Sequence, residues 1–344
     1  MRTSRLLAVG AALALTLGMS ACSSGSSGDA SAQTDAGASA AGDMFPVTIE
    51  HVYGETVVKE KPTRVATVAW ANHEVPLALG IVPVGMTKVT WGDDDNDGVL
   101  PWVEDKLEEL GAETPVLFDE TDGIDFEAVA DTQPDVILAA YSGLTKEEYT
   151  TLSKIAPVVA YPEVAWGTSV DDMIRLDSQA LGLSHEGDAL IDDLHAQADT
   201  ALAANSALEG KKVLFAYIDP NDFSQIGYYT ASDTRPGYLH DIGLPYPKVV
   251  ADSVGSEDFY LTVSAEDAEK FDDVDLFVTY GDAAFVKQLQ ADPLLSKIPA
   301  IAAGNIAILP DATPIAASAN PSPLSISWGL QDYLKLLAEP LTAQ

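Results

Sequence analysis

Apolar, β-branched runs alternate with short helical stripes twice along this chain, and this alternation limits it to a layered α/β fold. The first series begins with RVATVAW at Arg64, continues through the helical EVPLALGI and returns to an extended run at PVGMT. The second begins with KKVLFAYIDP at Lys211. Strand, helix, strand units of this kind predict parallel sheets with helices on their faces.

A weak internal repeat relates the two series. Each contains, in order, a Glu that opens a short helix, an Asp before an apolar strand and a Tyr 14 residues after the Glu. These residues are Glu127, Asp135 and Tyr141 in the first series and Glu266, Asp275 and Tyr280 in the second. The repeat predicts two similar lobes, although coincidence also explains a match this short.

The segment between the two series predicts a helical connection. DDMIRLDSQALGL and EGDALIDDLHAQADTALAAN both show helical spacing, and about 20 residues of helix span about 30 Å. We therefore expect an α/β protein with two Rossmann-like lobes, a long interlobe helix and a ligand cleft between the lobes. The expected divisions are an N-terminal lobe over 45–168, connecting helices over 169–210, and a C-terminal lobe with a C-terminal helix over 211–344.

The first residues predict export. Arg2 and Arg5 precede an apolar stretch that is too short for an ordinary spanning helix, so residues 1–21 are expected to be a signal peptide. The alternative is a buried N-terminal helix. The sequence Met19-Ser20-Ala21-Cys22 resembles the lipobox of bacterial lipoproteins, which implies lipid, including palmitate, on Cys22. Residues 22–44 then predict a flexible Ser/Gly/Ala tether.

Charge and cysteine content exclude several classes of partner and site. The chain has 53 Asp and Glu against 18 Lys and Arg, a net charge of -35, so nucleic acid and anionic membrane surfaces would repel it. The single cysteine excludes an intramolecular disulfide, a CxxC redox pair and a multi-Cys zinc site. We therefore expect no nucleic-acid partner. Separately, we expect the protein to be a monomer.

Aromatic residues follow the predicted strands, at the edges where parallel sheets bind ligands. Core packing is the alternative for any single one of them, but together they favour an aromatic cleft. The candidate ligand-binding residues are Trp70, Trp91, Tyr141, Trp166, Tyr217, Tyr229, Arg235 and Tyr280.

From Pro62 to Leu337 the chain resembles the iron-siderophore substrate-binding lipoproteins of ABC importers, a group that includes cobalamin and ferric-citrate binders. The resemblance rests on PTRVATVAW, ALGIVPVGMT, DFEAVADTQPDVILAAYSGLT, SKIAPVVAYP, EGKKVLFAY and VSAEDAEKFDDVDLFVTY. It implies a bilobed, extracytoplasmic protein with little hinge motion and a shallow aromatic cleft for a ferric chelate, anchored to the cell membrane through lipid.

The same resemblance implies that one Glu on each lobe docks onto Arg residues of an ABC transporter permease. The matching positions are Glu127 and Glu266, which the internal repeat also pairs. Exposed carboxylates can bind guanidinium groups in bidentate geometry. The alternative is that each is an ordinary first-turn Glu favoured by the helix dipole.

The chemical class of ligand is narrowed by the arginines. After the predicted signal peptide only Arg64, Arg175 and Arg235 occur. A triply negative tris-catecholate complex would therefore meet few cationic partners in a strongly negative protein. This favours a neutral, cationic or mixed hydroxamate chelate, with Arg235 as the donor to its oxygens.

One acidic loop has the spacing of a calcium site. DDDNDGVLPWVE fits D-x-[DN]-x-[DN]-G-x5-E, with Asp93, Asp95, Asp97 and, at the twelfth position, Glu104. Pro101 at a usual ligand position and the lack of a preceding helix favour the alternative, a solvated acidic loop. Any bound calcium would be structural.

Other functions find less support. The sequence has no GxSxG, HExxH or Walker A motif, which argues against an enzyme and leaves an acidic hydrolase or a two-carboxylate glycosidase as distant alternatives. The five His residues lack ligand spacing for a zinc or manganese transport site. Haem or cobalamin binding by the same fold is a closer alternative, with Tyr141 or Tyr280 as a haem ligand.

Overall fold

The computed structural model describes residues 44–342. The predicted signal peptide, Cys22 and all but the last residue of the predicted tether lie outside this range. The described chain opens with a hairpin of two antiparallel strands, β1 (Val47–His51) and β2 (Gly54–Val58). Its apolar side chains at Val47, Ile49 and Val58 are buried in the main core, so the hairpin is part of the folded unit.

The first sheet carries the strands that the first series predicts. Its order is β5-β4-β3-β6-β7, and every neighbouring pair is parallel. The strands are short and mostly buried, as expected for a sheet covered on both faces. They are β3 (Val65–Thr67), β4 (Gly85–Thr87), β5 (Val116–Phe118), β6 (Val136–Leu138) and β7 (Val158–Val159).

Helices connect these strands. They are α1 (Glu74–Ala78), α2 (Pro101–Leu110), α3 (Phe126–Asp131) and α4 (Lys146–Leu152). Pro101 occupies the first turn of α2, where its missing N–H costs nothing, and Gly111 ends the helix with a φ of 63°. Trp70 lies beyond the end of β3 rather than in it, so the apolar run RVATVAW is longer than the strand it forms.

Two helices follow the first sheet, as predicted for the interlobe connection. They are α5 (Val170–Ala180) and α6 (Ser184–Ala204), and α6 has 21 residues. Ser169 caps α5 by accepting a hydrogen bond from Asp172 N–H. The buried face of α6 includes Ile191, Leu194 and Ala198.

The second sheet has the same strand order as the first. Counted along the chain within each sheet, the order is third, second, first, fourth, fifth: β10-β9-β8-β11-β12. The strands are β8 (Val213–Tyr217), β9 (Gln225–Tyr229), β10 (Tyr260–Ser264), β11 (Leu276–Gly281) and β12 (Ile306–Pro310). β8, β11 and β12 are parallel, but β9 runs antiparallel to both neighbours. The short β8–β9 connection allows this reversal, since antiparallel strands need no crossover helix.

The helices of the second lobe are short. They are α7 (Thr234–Asp241), α8 (Lys248–Ala251), α9 (Ala284–Ala291), α10 (Pro299–Ala303) and α11 (Pro314–Ser318), with 3-10 turns at Ser206–Leu208, Ala265–Phe271 and Leu295–Lys297. The expectation of an α/β fold with two lobes is confirmed; the reversed β9 is the one departure from the parallel pattern of the first sheet.

The repeat seen in the sequence has a structural basis at its Asp positions. Asp135, just before β6, accepts hydrogen bonds from the backbone N–H groups of Thr63 and Arg64 at 2.8 and 2.9 Å. Asp275, just before β11, accepts one from Lys212 N–H at 2.9 Å. Each Asp therefore ties the fourth strand of its sheet to the residues that lead into the first.

The last helix, α12 (Pro323–Thr342), joins the two lobes. Glu74 on α1 is fully buried and accepts hydrogen bonds from the Trp102 indole N–H at 2.7 Å and from Leu324 N–H at 2.9 Å. A carboxylate at a helix N-terminus satisfies a backbone donor that has no partner within the helix. Within residues 44–342, none of the helices combines the length and apolar character needed to cross a membrane.

Candidate functional site

The candidate cleft lies at the carboxyl ends of the parallel strands, because the aromatic residues of both lobes follow those ends. Trp70 comes after β3 and Tyr141 after β6, while Tyr217 is the last residue of β8 and Tyr280 the last but one of β11. This is the edge at which open α/β sheets bind ligands.

Trp91 makes the central aromatic contact between the lobes. It lies in the loop before α2 and meets Tyr280 edge to face, with ring centroids 5.5 Å apart. Phe215 lies 5.5 Å from both Tyr280 and Tyr229, also measured between ring centroids. Rings at these distances and angles stabilise one another beyond simple burial. The structure thus brings three predicted residues together, and it adds Phe215.

Arg235 lies beneath this aromatic cluster and is already ion-paired. Its guanidinium donates to both carboxylate oxygens of Asp233, at 2.8 and 2.7 Å, and lies 3.5 Å from the Tyr229 ring centroid. A third donor, Nη1, lies 3.4 Å from the Tyr280 hydroxyl. Burial opposes the charged form, but the bond to Asp233 and its charge hold the pKa of Arg235 well above its usual range. The cation is therefore permanent and neutralised by a carboxylate.

Tyr141 and Trp166 form a second aromatic pair, connected to the first through α7. Their rings meet edge to face at 5.4 Å. The Tyr141 hydroxyl lies 3.1 Å from the Thr234 hydroxyl and 3.3 Å from the Asn320 amide oxygen, so it links the first lobe to residues of the second. Tyr141 is only 6% exposed, and burial raises its pKa. It therefore supports the cleft from below.

Gly143 makes room for Trp166. A Cβ at this glycine would lie 2.2 Å from the Trp166 indole nitrogen, which is closer than non-bonded atoms can approach. Trp166 itself has a φ of 60°, a conformation that non-glycine residues rarely adopt. The close approach and the strained backbone both fix the direction of the indole ring.

Tyr217 lies apart from these two clusters. It is 45% exposed and, with Tyr280, lines a cavity of about 270 Å³ between the carboxyl ends of β8, β11 and β12. Asp282 and Asp311 stand at the same cavity, so it combines aromatic walls with acidic groups. Because Tyr280 belongs to the aromatic cluster and also lines this cavity, the two are adjacent.

The other two arginines lie away from the cleft. Arg64 precedes β3, at the opposite end of the strand from Trp70, and donates to the carbonyl oxygens of Thr132 and Gln133. Arg175 on α5 is exposed and pairs with Asp171 and Asp172. Of the three arginines in the described chain, Arg235 alone stands among the candidate cleft residues.

Glu127 and Glu266 occupy equivalent positions in their lobes. Each is exposed and is the second residue of a short helix that precedes the fourth strand of its sheet. The residue before each helix caps it: the Asp125 carboxylate accepts from Ala128 N–H at 3.0 Å, and the Ser264 hydroxyl accepts from Glu266 N–H at 3.2 Å. Neither glutamate makes an ion pair among the described residues, so both carboxylates face solvent.

The acidic loop folds so that its side chains converge. One carboxylate oxygen from each of Asp93, Asp95 and Asp97 lies within 4.8 Å of the others. Glu104, in the first turn of α2, is close enough to Asp97 to share a hydrogen bond, and burial together with the charge of Asp97 raises the pKa of Glu104 to about 7. Backbone N–H groups of the loop already occupy several oxygens, among them Gly98 N–H on Asp93 at 2.7 Å.

Several residues that shape the cleft carry no signal in the sequence. Phe215 sits inside a buried strand and is indistinguishable from core. Asn320 lies in a loop without a motif, as does Glu120, which accepts a hydrogen bond from Ala69 N–H next to Trp70. Asp233, two residues before Arg235, could have been recognised, since an Asp before a short helix is typical of an N-cap; it caps α7 through Arg235 N–H at 2.9 Å.

Comparison with known proteins shows which family and which relatives this chain is similar to. The model of a family described as periplasmic binding protein matches residues 65–313. A curated relative, the probable siderophore-binding lipoprotein YfiY of Bacillus subtilis strain 168, is 25% identical over 236 residues, covering 68% of this chain and 67% of that protein.

Solved structures give a closer match. The crystal structure of PiaA from Streptococcus pneumoniae TIGR4 in complex with ferrichrome is 47% identical and superposes with a TM-score of 0.82, covering 86% of this chain and 98% of PiaA. A second PiaA structure, described as an iron uptake ABC transporter substrate-binding protein, is 46% identical with a TM-score of 0.80, covering 87% of this chain and 100% of that one. A periplasmic solute binding protein from Mycobacterium smegmatis MC2 155, at 24% identity and a TM-score of 0.68 over 86% and 98% of the two chains, supports the fold.

Proposed function

The chain belongs to the periplasmic binding protein family, and from that premise we propose that it captures a ferric siderophore outside the cytoplasm and delivers it to an ABC importer for iron uptake. The observation that carries this proposal is the 47% identity, over 86% of the chain, with PiaA in complex with ferrichrome. The role is one of binding and release, with no catalytic step.

The charge of the cleft favours an uncharged chelate. Three hydroxamates neutralise Fe³⁺, whereas three catecholates leave a charge of about -3 in total. Arg235 is the arginine that faces the candidate cleft, and Asp233 already balances its charge. The Nη1 group of Arg235, near the Tyr280 hydroxyl, can donate a hydrogen bond to a ligand oxygen without needing an anion there. A neutral ferric hydroxamate such as ferrichrome fits this arrangement.

The aromatic clusters would supply the contact area. Trp91, Tyr229 and Tyr280 are partly exposed above a buried layer, so their rings can pack against the CH₂ groups of a hydroxamate siderophore. Trp70 and Trp166 would contribute from the first lobe, and Tyr217 from the adjoining cavity. Tyr141 would act indirectly, since its hydroxyl is committed to Thr234 and Asn320.

Docking on the permease would use Glu127 and Glu266. Their exposure, their lack of a cationic partner in the described chain and their equivalent positions on two similar lobes support this role. Two guanidinium groups at matching separation on a permease would fix the register of the complex through bidentate bonds.

The anchor is proposed from the sequence. Cys22 would carry the lipid after removal of residues 1–21, and the Ser/Gly/Ala segment would tether the binding unit to the membrane. The curated relative is itself described as a lipoprotein. The proposed partners are thus a ferric siderophore, a permease and, through lipid, the membrane.

Haem or cobalamin binding is the nearest alternative. The structure weakens the haem version at Tyr141, because its hydroxyl is already hydrogen-bonded to Thr234 and Asn320. No observation favours cobalamin over a siderophore.

A tryptophan-fluorescence titration tests the proposal. The chain from residue 23 onward is titrated with ferrichrome, a ferric tris-catecholate, ferric citrate, haem and cobalamin. We expect saturable quenching by ferrichrome at sub-micromolar concentration, and weaker or no response to the tris-catecholate. Quenching by haem or cobalamin alone would contradict the siderophore assignment, and no response to any ligand would contradict a transport role.

A further inference from the structure

The loop that presents Trp70 is held in an unfavourable conformation. Ala69 and Ala71, on either side of it, both have left-handed backbone angles, with φ values of 61° and 64°. A residue other than Gly, Asn or Asp in this region costs on the order of 1–2 kcal/mol. Two such alanines flanking one tryptophan need compensating contacts, and strain of this kind tends to be retained where a ligand is gripped.

Glu120 supplies the compensation on the N-terminal side of Trp70. Ala69 N–H lies 3.0 and 3.3 Å from the two carboxylate oxygens of Glu120, which follows β5. The Thr87 hydroxyl, at the end of β4, lies 3.0 Å from both Ala69 C=O and Glu120 Oε1. One carboxylate and one hydroxyl thus hold the peptide groups on both sides of Ala69.

Asn72 supplies the compensating contacts on the C-terminal side of Trp70. Its fully buried amide donates to Val68 C=O at 2.8 Å and to Tyr141 C=O at 2.9 Å. The amide oxygen accepts from Tyr141 N–H at 2.9 Å. These hydrogen bonds fix the loop to Tyr141, three residues after the end of β6. Glu120 therefore holds the loop toward β5, and Asn72 holds it toward β6.

Glu120 has no ion pair among the described residues; its partners are the backbone and a hydroxyl. Its neighbour Asp119 is exposed and bonds the N–H of Thr121 instead. A half-buried carboxylate with backbone partners is suited to fixing a loop, whereas an exposed one can be removed with little effect.

We propose that Glu120 is a positioning residue for ligand capture: it holds the strained Ala69–Trp70–Ala71 turn so that the Trp70 indole stays in place for the ligand. The proposal rests on the siderophore-binding function above. It assigns a positioning role to Glu120, which would act on the ligand through Trp70.

The first test compares three variants of the full chain by ferrichrome titration. Glu120→Ala is expected to weaken binding about tenfold, or ~1.4 kcal/mol. Glu120→Gln keeps an acceptor for Ala69 N–H and is expected to remain within about threefold of the wild type. The control, Asp119→Ala, is expected to bind as the wild type does. Thermal melts check that each variant is folded.

The second test asks whether the effect passes through Trp70. In a Trp70→Phe background, Glu120→Ala should cost less than about twofold, because the residue it positions is gone. An equal loss in both backgrounds would overturn the proposal, as would unchanged binding by folded Glu120→Ala. A loss in Glu120→Gln as large as that in Glu120→Ala would overturn its hydrogen-bond basis.

A third measurement needs no ligand and separates this proposal from the function on which it rests. Acrylamide quenching of the Trp70 emission, taken as the difference between each protein and its Trp70→Phe variant, should rise in Glu120→Ala. Unchanged quenching would overturn the proposal that Glu120 holds Trp70 in place. If the wild-type chain failed to bind ferrichrome but quenching rose in Glu120→Ala as expected, the assigned ligand would be wrong. The positioning of Trp70 by Glu120 would still hold.

Discussion

Asp233 accepts hydrogen bonds from the Arg235 guanidinium through both of its carboxylate oxygens, at 2.8 and 2.7 Å. Asp233 is 2% exposed, and Arg235 also lies against the Tyr229 ring at 3.5 Å from its centroid. The one arginine of the candidate cleft is therefore presented to a ligand as half of a neutral pair. This pairing changes its role from a counter-ion for anionic chelates to a directional hydrogen-bond donor.

Asp233→Asn should alter which chelates the protein prefers. The substitution leaves the guanidinium charge uncompensated, so the Kd for a ferric tris-catecholate should fall relative to that for ferrichrome by about tenfold. It should also destabilise the fold by roughly 3–5 kcal/mol, because a buried ion pair is broken. Fluorescence titration and urea unfolding measure the two effects. An unchanged ratio of the two Kd values in folded protein would contradict the charge argument; the exposed Asp219→Asn is the control.

Trp91→Ala should weaken ferrichrome binding about tenfold or more, as loss of a central aromatic contact does. The reason is its edge-to-face contact with Tyr280 across the two lobes. Isothermal titration calorimetry gives the Kd without relying on tryptophan emission. Trp328→Ala provides a matched control, because Trp328 is 40% exposed on α12 and packs on Trp102 instead of the cleft. Equal losses in both variants would argue against a role for Trp91 in the cleft.

Replacing Glu127 and Glu266 together by Ala should abolish iron uptake and leave ferrichrome affinity within about twofold. Their carboxylates face solvent, and neither forms an ion pair among residues 44–342. Uptake of ⁵⁵Fe-ferrichrome by cells and titration of the purified protein measure the two properties. Asp131→Ala with Glu269→Ala is the control, since these exposed acidic residues lie near the ends of the same helices. Normal uptake by the double Glu variant would remove the docking role.

Glu74→Gln should change how stability depends on pH. Burial raises the pKa of Glu74 to about 7, although its hydrogen bonds act to lower it. A raised pKa in the folded state means that folding binds a proton, so the stabilising contribution is present below the unfolded pKa of 4.5 and is lost as pH rises through about 7. Over this window the loss is roughly 3 kcal/mol at most.

Urea unfolding at pH 5 and pH 8 measures this effect. The unfolding free energy of the wild type minus that of Glu74→Gln should be larger at pH 5 than at pH 8. His73 acts in the opposite sense, because burial lowers its pKa to about 4, but it is present in both proteins and its contribution is removed by the subtraction. A difference that does not vary with pH would contradict the prediction. Glu108→Gln, an exposed substitution on α2, should show no such variation.

The calcium loop stays a prediction of the sequence. If the converging oxygens of Asp93, Asp95 and Asp97 bind Ca²⁺, millimolar calcium should raise the Tm, chelation should reverse the rise, and Asp95→Asn should remove most of it. Differential scanning calorimetry measures the change. A Tm that is insensitive to calcium would leave the segment as a solvated acidic loop.

Much of the fold could be read from local pattern. The alternation of strands and helices and the helices α5 and α6 depend on hydrophobic periodicity and capping within short segments, which the sequence displays directly. The aromatic residues after the strands could be placed for the same reason, since the carboxyl ends of parallel strands share one edge. The reversed β9 could not, because an apolar run does not reveal the direction in which it pairs.

What only the tertiary structure decided is how polar groups far apart in the chain are used. The sequence by itself determined that Arg235 follows a strand and could meet a ligand, but the carboxylate geometry of Asp233 decides that its charge is already balanced. Likewise, nothing in the sequence Ala69-Trp70-Ala71-Asn72 predicts that its two alanines adopt left-handed backbone angles. They persist because Glu120 and Tyr141, 51 and 69 residues away from Ala69 and Asn72 respectively, offer hydrogen bonds that offset the strain. Local periodicity specifies the elements, whereas contacts between distant residues fix the conformation of the site.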